Sequence, residues 1–115
     1  MAISIEEYLR HILDEADFLA AKTLTLDEDL FLHDETAKRA FVRSLEVVGE
    51  AVKHVPSEIR LQYADIEWKS IAGMRDKLIH EYFGVDHDIV WDAAINKIPQ
   101  LAAIVRNILS DLYGK

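Results

Sequence analysis

The chain contains no cysteine, which excludes disulfides, thiolate-ligated zinc, iron–sulfur clusters and thiol nucleophiles. Its 115 residues include only four glycines and two prolines, too few for a fold built on hairpin turns or for a flexible linker. No glycine-rich phosphate loop is present, so a P-loop nucleotide hydrolase is out. No apolar run approaches the roughly 18 residues needed to span a bilayer. The first residues, MAISIEEYLR, lack the basic and apolar regions of a secretory signal, and the expected compartment is the cytoplasm. Positive charge is scarce as well. Thirteen Lys and Arg face 21 Asp and Glu, a formal net charge of −8. The average field of such a chain repels nucleic acid, so any contact with it must come from a local group of cations or from a partner.

What the chain does have is helical periodicity along most of its length. Ile5, Leu9, Ile12, Ala16 and Leu19 draw one stripe, and Ser4 with Glu7 has the S-x-x-E form of a capping box at its start. Ala37, Phe41, Leu45, Val48, Val52 and Val55 draw a second, ended by Pro56. Between them TLTLDEDLFLHDE is a polar connection with room for one short helical turn. After SEIRLQYAD a third helix is expected from near Ile66 to Tyr82 or Phe83, with Gly84 as its stop. Asp86 would cap a fourth helix bearing Ile89, Val90, Trp91 and Ala94. Pro99 would open a last one carrying Leu101, Val105, Ile108 and Leu112. No strand pattern, internal repeat or domain boundary is evident. These readings predict a single all-α domain over 1–115, an up-and-down bundle of four to five helices. The wide apolar arcs, with Val47 beside Val48 and Ile104 beside Val105, suit a homodimer.

The most unusual segment is Ile71-Ala-Gly-Met-Arg75-Asp76-Lys77-Leu78-Ile79-His80-Glu81-Tyr82-Phe83. On an ideal helix Arg75 and Tyr82 fall on the side of Ile71, Met74 and Leu78, while Asp76 and His80 share another face. An arginine cannot shed its charge, so on an apolar side it needs a carboxylate, a phosphate or a wet cleft. A carboxylate beside His80 would fix the imidazole tautomer and raise its pKa. Spacing alone fits two readings. In one, Arg75 clamps a phosphodiester, His80 moves a proton and Tyr82 supplies a hydroxyl. In the other, Arg75 pairs with a buried glutamate and His80 is simply solvated.

The segment Arg75-Asp-Lys-Leu-Ile-His80-Glu-Tyr82 resembles the Arg-x-x-x-x-His-x-Tyr motif of the HepT-like proteins, the toxin half of HEPN/MNT toxin–antitoxin systems. Leu45-Glu-Val-Val-Gly-Glu50-Ala51 is similar to the family's second long helix. Trp68-Lys-Ser-Ile-Ala-Gly73-Met74-Arg75 and Phe83-Gly84-Val85-Asp86 resemble the motif's flanks, and Val90-Trp91 resembles the family's next helix. The likeness runs through essentially the whole chain in order. It implies a helical homodimer whose cleft, lined by both copies of the motif, cleaves RNA without a metal, in a type VII-like toxin–antitoxin pair. Arg75 and His80 would be the catalytic pair, with Asp76 supporting them. Tyr82 would accept AMP from the cognate antitoxin, a minimal nucleotidyltransferase.

The resemblance also admits a HEPN-type module that binds a nucleotide or partner without catalysis. Arg75 and His80 diverge by about 140° on one ideal helix, and a two-fold axis beside the motif would let two copies face one groove. Lys69 and Lys77 near the motif, with Lys38, Arg39 and Arg43 on the second helix, are the cations that could line it. Glu50 reads as a partner of Arg75, a dimer contact or a solvated edge. Glu50 with His54, and Asp76 with His80, lack the Glu-x-x-His spacing of di-iron bundles, and neither a metal nor a cofactor is expected. His11, His33 and His87 read as surface residues, and Trp68 and Trp91 as packing anchors.

Overall fold

The first apolar stripe becomes helix α1 (Ile5–Thr23), which buries Leu9, Ile12, Ala16 and Leu19. Its capping box forms: the Ser4 hydroxyl accepts from the Glu7 amide at 3.1 Å, and the Glu7 carboxylate accepts from the Ser4 amide at 3.3 Å. In the computed structural model, residues 2–80 and 84–115 are described, with Ile79 and His80 described in their backbone alone. The acidic connection holds a short helix α2 (Glu28–Leu32), capped by the Asp27 side chain. The second stripe becomes α3 (Glu35–Lys53), followed by α4 (Ser57–Gln62) beyond Pro56.

Helices α1 and α3 lie along one another and form the core with the C-terminal helix. At their seam the buried hydroxyl of Ser44 donates to the Glu15 carboxylate, so the polar group carried inside has its partner. Gly49 decides how closely the next elements approach α3. A Cβ built there would lie 3.2 Å from the Ile71 carbonyl oxygen, tighter than ordinary contact and against backbone, which cannot rotate away. Gly49→Ala is therefore expected to destabilise the protein by about 1–3 kcal/mol, read as a lowered urea midpoint at unchanged slope.

The third helix departs from expectation. It is two short pieces, α5 (Trp68–Ala72) and α6 (Met74–Leu78), separated at Gly73. The chain then leaves helical geometry: β1 (Ile79–His80) pairs antiparallel with β2 (Gly84–Val85), His80 opposite Gly84. Gly84 does have the left-handed backbone of a helix-stopping glycine (φ 78°), but it serves the strand pair. The Asp86 amide donates to the Leu78 carbonyl at 2.9 Å, giving the last carbonyl of α6 a partner.

The last two expected helices are one continuous run. Asp86 caps α7 (His87–Asp92), which passes through a π-helical turn (Ala93–Lys97) into α8 (Ile98–Tyr113). Pro99 does not open a separate helix. It lacks the amide that would bond residue 95, and its ring crowds that carbonyl; the wider turn, in which the Ile98 amide reaches Ala93, absorbs both defects. With this run counted as one, the described residues hold seven helices, not four or five, because α2 and α4 form in the connections and α5 parts from α6. No described helix is long and apolar enough to cross a membrane.

Phe31 of α2, Phe41 of α3 and Trp91 of α7 make an aromatic triangle with ring centroids 4.7, 5.2 and 6.3 Å apart. It packs the end of α7 against α2 and α3. Trp68 and Trp91 are both buried, as packing anchors. Leu112, placed on the last stripe, is exposed instead, while Tyr113 beside it packs against the core.

His87 differs from His11 and His33, which are exposed. It is half-buried at the start of α7, its ring 6.4 Å from that of Phe31. Burial lowers its pKa, and the positive charge of Lys38 adds to the effect. A histidine held below its ordinary value, near 6.5, favours the folded state above that pH. As the pH falls through it the unfolded chain takes up the proton first and stability drops, levelling off once folded His87 is protonated. Denaturant midpoints across pH 5–8 should show this fall in the parent and lose that component in His87→Gln.

Candidate active site

Beyond the break at Gly73, α6 keeps Met74 and Leu78 buried on the stripe of Ile71 but turns Arg75 outward. The side chain of Arg75 is 68% exposed and its Nε donates to the Glu46 carboxylate of α3 at 3.1 Å. The placement of Arg75 on an apolar side is thus overturned, yet its requirement for a carboxylate is met from the neighbouring helix. Glu46 was missed in the sequence because it belongs to a different helix and only the packing of α6 on α3 reveals it. Glu50, one turn further along α3, is exposed and lies near Lys53 (3.6 Å) and His54 (3.8 Å) of its own helix. It is not the partner of Arg75.

Asp76 and Lys77 are exposed beside Arg75, and Lys77 donates to the Ser70 hydroxyl at 2.7 Å. His80 stands two residues past the end of α6, in β1. The helical wheel that put it about 140° from Arg75 and beside Asp76 therefore no longer applies to it. Tyr82 lies outside the described residues. Among the described residues no three His, Asp or Glu side chains gather as a metal site.

The arrangement is a guanidinium held out to solvent by one carboxylate, at the point where a helix gives way to a strand that carries a histidine. A cation and an imidazole on one short segment are the groups that phosphate-ester chemistry by charge and proton transfer employs. The family model described as Ribonuclease HepT-like matches residues 5–108. The chain belongs to this family of HEPN ribonucleases, and its enzymatic class is that of a nuclease of toxin–antitoxin type.

Individual relatives agree. The chain is 50% identical over 102 residues to a "Putative RNase" of Caldanaerobacter subterraneus subsp. tengcongensis, covering 89% of this chain and 91% of that protein. It is 43% identical over 111 residues to a "Putative RNase" of Methanocaldococcus jannaschii, covering 96% and 92%. A "Probable ribonuclease HepT" of Thermococcus cleftensis is 37% identical over 101 residues, covering 88% and 92%. No solved structure matches the chain.

Proposed function

We propose that the protein is a metal-independent endoribonuclease of a HEPN/MNT pair, working as a homodimer with the two motifs facing one groove. The ribose 2′-oxygen attacks the adjacent phosphorus, the bond to the 5′-oxygen breaks, and the products are a 2′,3′-cyclic phosphate and a 5′-hydroxyl. His80 takes the 2′-hydroxyl proton or supplies one to the departing 5′-oxygen. Arg75 stabilises the charge on the phosphorane oxygens, and Asp76 supports the pair. Glu50, a turn beyond Glu46, repels the phosphate chain from that end of α3.

The observation that carries this reading is the Arg75–Glu46 pair. The carboxylate orients the guanidinium without burying it, so a phosphate can still reach the exposed face of the cation. Exposed apolar side chains such as Leu30 and Ile89, on the elements of the aromatic triangle, provide area for a partner subunit. In the same reading Tyr82 is the AMP acceptor, and the cognate nucleotidyltransferase silences the enzyme through it. Cleavage of single-stranded RNA in excess chelator, leaving cyclic phosphate ends and lost in His80→Ala, is the expected result. Cleavage that needs added divalent metal, or that survives in His80→Ala, would refute the mechanism. A folded parent that binds RNA without cutting it would leave a binding module.

A further inference from the structure

Six arginines are spread through this acidic chain, and four of them are engaged. Arg10 pairs with Glu6, Arg75 with Glu46 and Arg106 with Asp17, while Arg60 donates to the carbonyls of Val52 and Val55. Arg39 and Arg43 are the exceptions: both are exposed on α3, and neither has a carboxylate within 4.0 Å among the described residues. The acid one turn before Arg39 is Glu35, which gives its carboxylate to Lys38 at 2.8 Å. Two arginines one turn apart on α3, with no carboxylate within 4.0 Å among the described residues, concentrate positive charge locally in a chain with 21 acidic residues.

Their positions on the helix carry the argument further. At about 100° per residue, Arg39, Arg43 and Glu46 fall within an arc of about 60° on α3. They form one ridge, exposed at Arg39 and Arg43 and partly covered at Glu46. Glu46 is the residue that holds Arg75, so the ridge runs directly to the candidate site. At about 1.5 Å rise per residue, Arg43 stands about 4.5 Å and Arg39 about 10.5 Å before Glu46 along the axis. The succession Arg39, Arg43, Arg75 is a graded row of cations that ends at the acids Glu46 and Glu50.

We infer that Arg39 and Arg43 form the phosphate track of the substrate, holding successive backbone phosphates of a single RNA strand that enters along α3 and ends at Arg75. The inference rests on the ribonuclease reading for its direction but not for its test. Guanidinium groups on a ridge contact phosphates without reading bases, so the track gives affinity and register rather than sequence preference. It also removes the difficulty of an acidic enzyme with a polyanionic substrate, since the field the strand meets is that of the ridge.

The test uses binding, which does not depend on cleavage. A fluorescent 2′-O-methyl oligoribonucleotide of about ten residues cannot undergo 2′-oxygen attack and serves as the probe. In fluorescence anisotropy, the double variant R39A/R43A is expected to bind on the order of tenfold more weakly than the parent. Its log–log salt slope should be shallower by about 1.4, the value for two lost single-strand phosphate contacts. Arg106→Ala, the loss of an exposed arginine on α8 away from the ridge, controls for removing a positive charge elsewhere and should leave the slope unchanged. Both changes are on helix surfaces and favour helix formation, so folding is preserved. Parent-like affinity and slope in R39A/R43A would overturn the track. So would a variant that binds RNA normally but no longer captures the nucleotidyltransferase, which would make the ridge a protein contact. Normal RNA binding by the parent, weakened in R39A/R43A, with no cleavage of unmodified RNA would uphold the track and refute the nuclease mechanism.

Discussion

Arg75→Ala is expected to lose RNA cleavage by about 10²- to 10³-fold, the effect of deleting a charge-stabilising donor from a transition state. It should do so while remaining folded. The side chain is mostly in solvent and its single described partner is Glu46, so the fold loses one exposed ion pair. Such pairs contribute about 0–1 kcal/mol. For a chain of this size that is a melting shift of no more than about 4 °C.

The contrast between those two magnitudes is what makes the experiment decisive. A structural arginine, buried against its carboxylate, would cost several kcal/mol on removal because the abandoned acid would be left without solvent. Here Glu46 is only partly covered and water can replace the guanidinium. Single-turnover cleavage rates and circular-dichroism melts of the same preparation therefore separate the roles. A variant that cuts like the parent would remove Arg75 from the chemistry. A variant that has unfolded would show that the pair holds α6 on α3.

Which parts of this site were legible in the sequence follows from what each depends on. Helices α1 and α3 have 19 residues each and apolar positions on one side, so local periodicity determined them. The segment after Leu78 is different. Its residues Ile79, Tyr82 and Phe83 favour strands as readily as helices, a signal that helical spacing upstream masked. The described end of α6 is settled by tertiary contacts: β1 pairs with β2, and the Asp86 amide takes the Leu78 carbonyl. The partner of Arg75 was out of reach for a related reason. Choosing Glu46 over Glu50 requires the register of α6 on α3, which depends on the close approach that Gly49 allows to the Ile71 carbonyl. Residue types were readable, as was the motif; the contacts between helices were not.

Under the proposed function Tyr82→Phe is expected to give the second large effect, an all-or-none one. The tyrosine oxygen would attack the α-phosphorus of ATP in the active site of the nucleotidyltransferase, forming a phenol–phosphorus bond. Pyrophosphate leaves and the phenolic proton passes to solvent or a base. The position fits the consequence drawn from it. Tyr82 lies two residues from His80 in sequence, so an adenylyl phosphate on it adds negative charge and bulk within the motif. That phosphate can occupy Arg75 as a substrate phosphate would. Intact mass of the protein co-expressed with its cognate nucleotidyltransferase should show one or more adenylyl increments, absent from Tyr82→Phe. The modified parent should be inactive, whereas Tyr82→Phe should cut RNA whether or not the nucleotidyltransferase and ATP are present. Increments that persist in Tyr82→Phe would move the acceptor to another residue. A modified parent that still cuts would mean that the antitoxin silences the enzyme by binding rather than by covalent change.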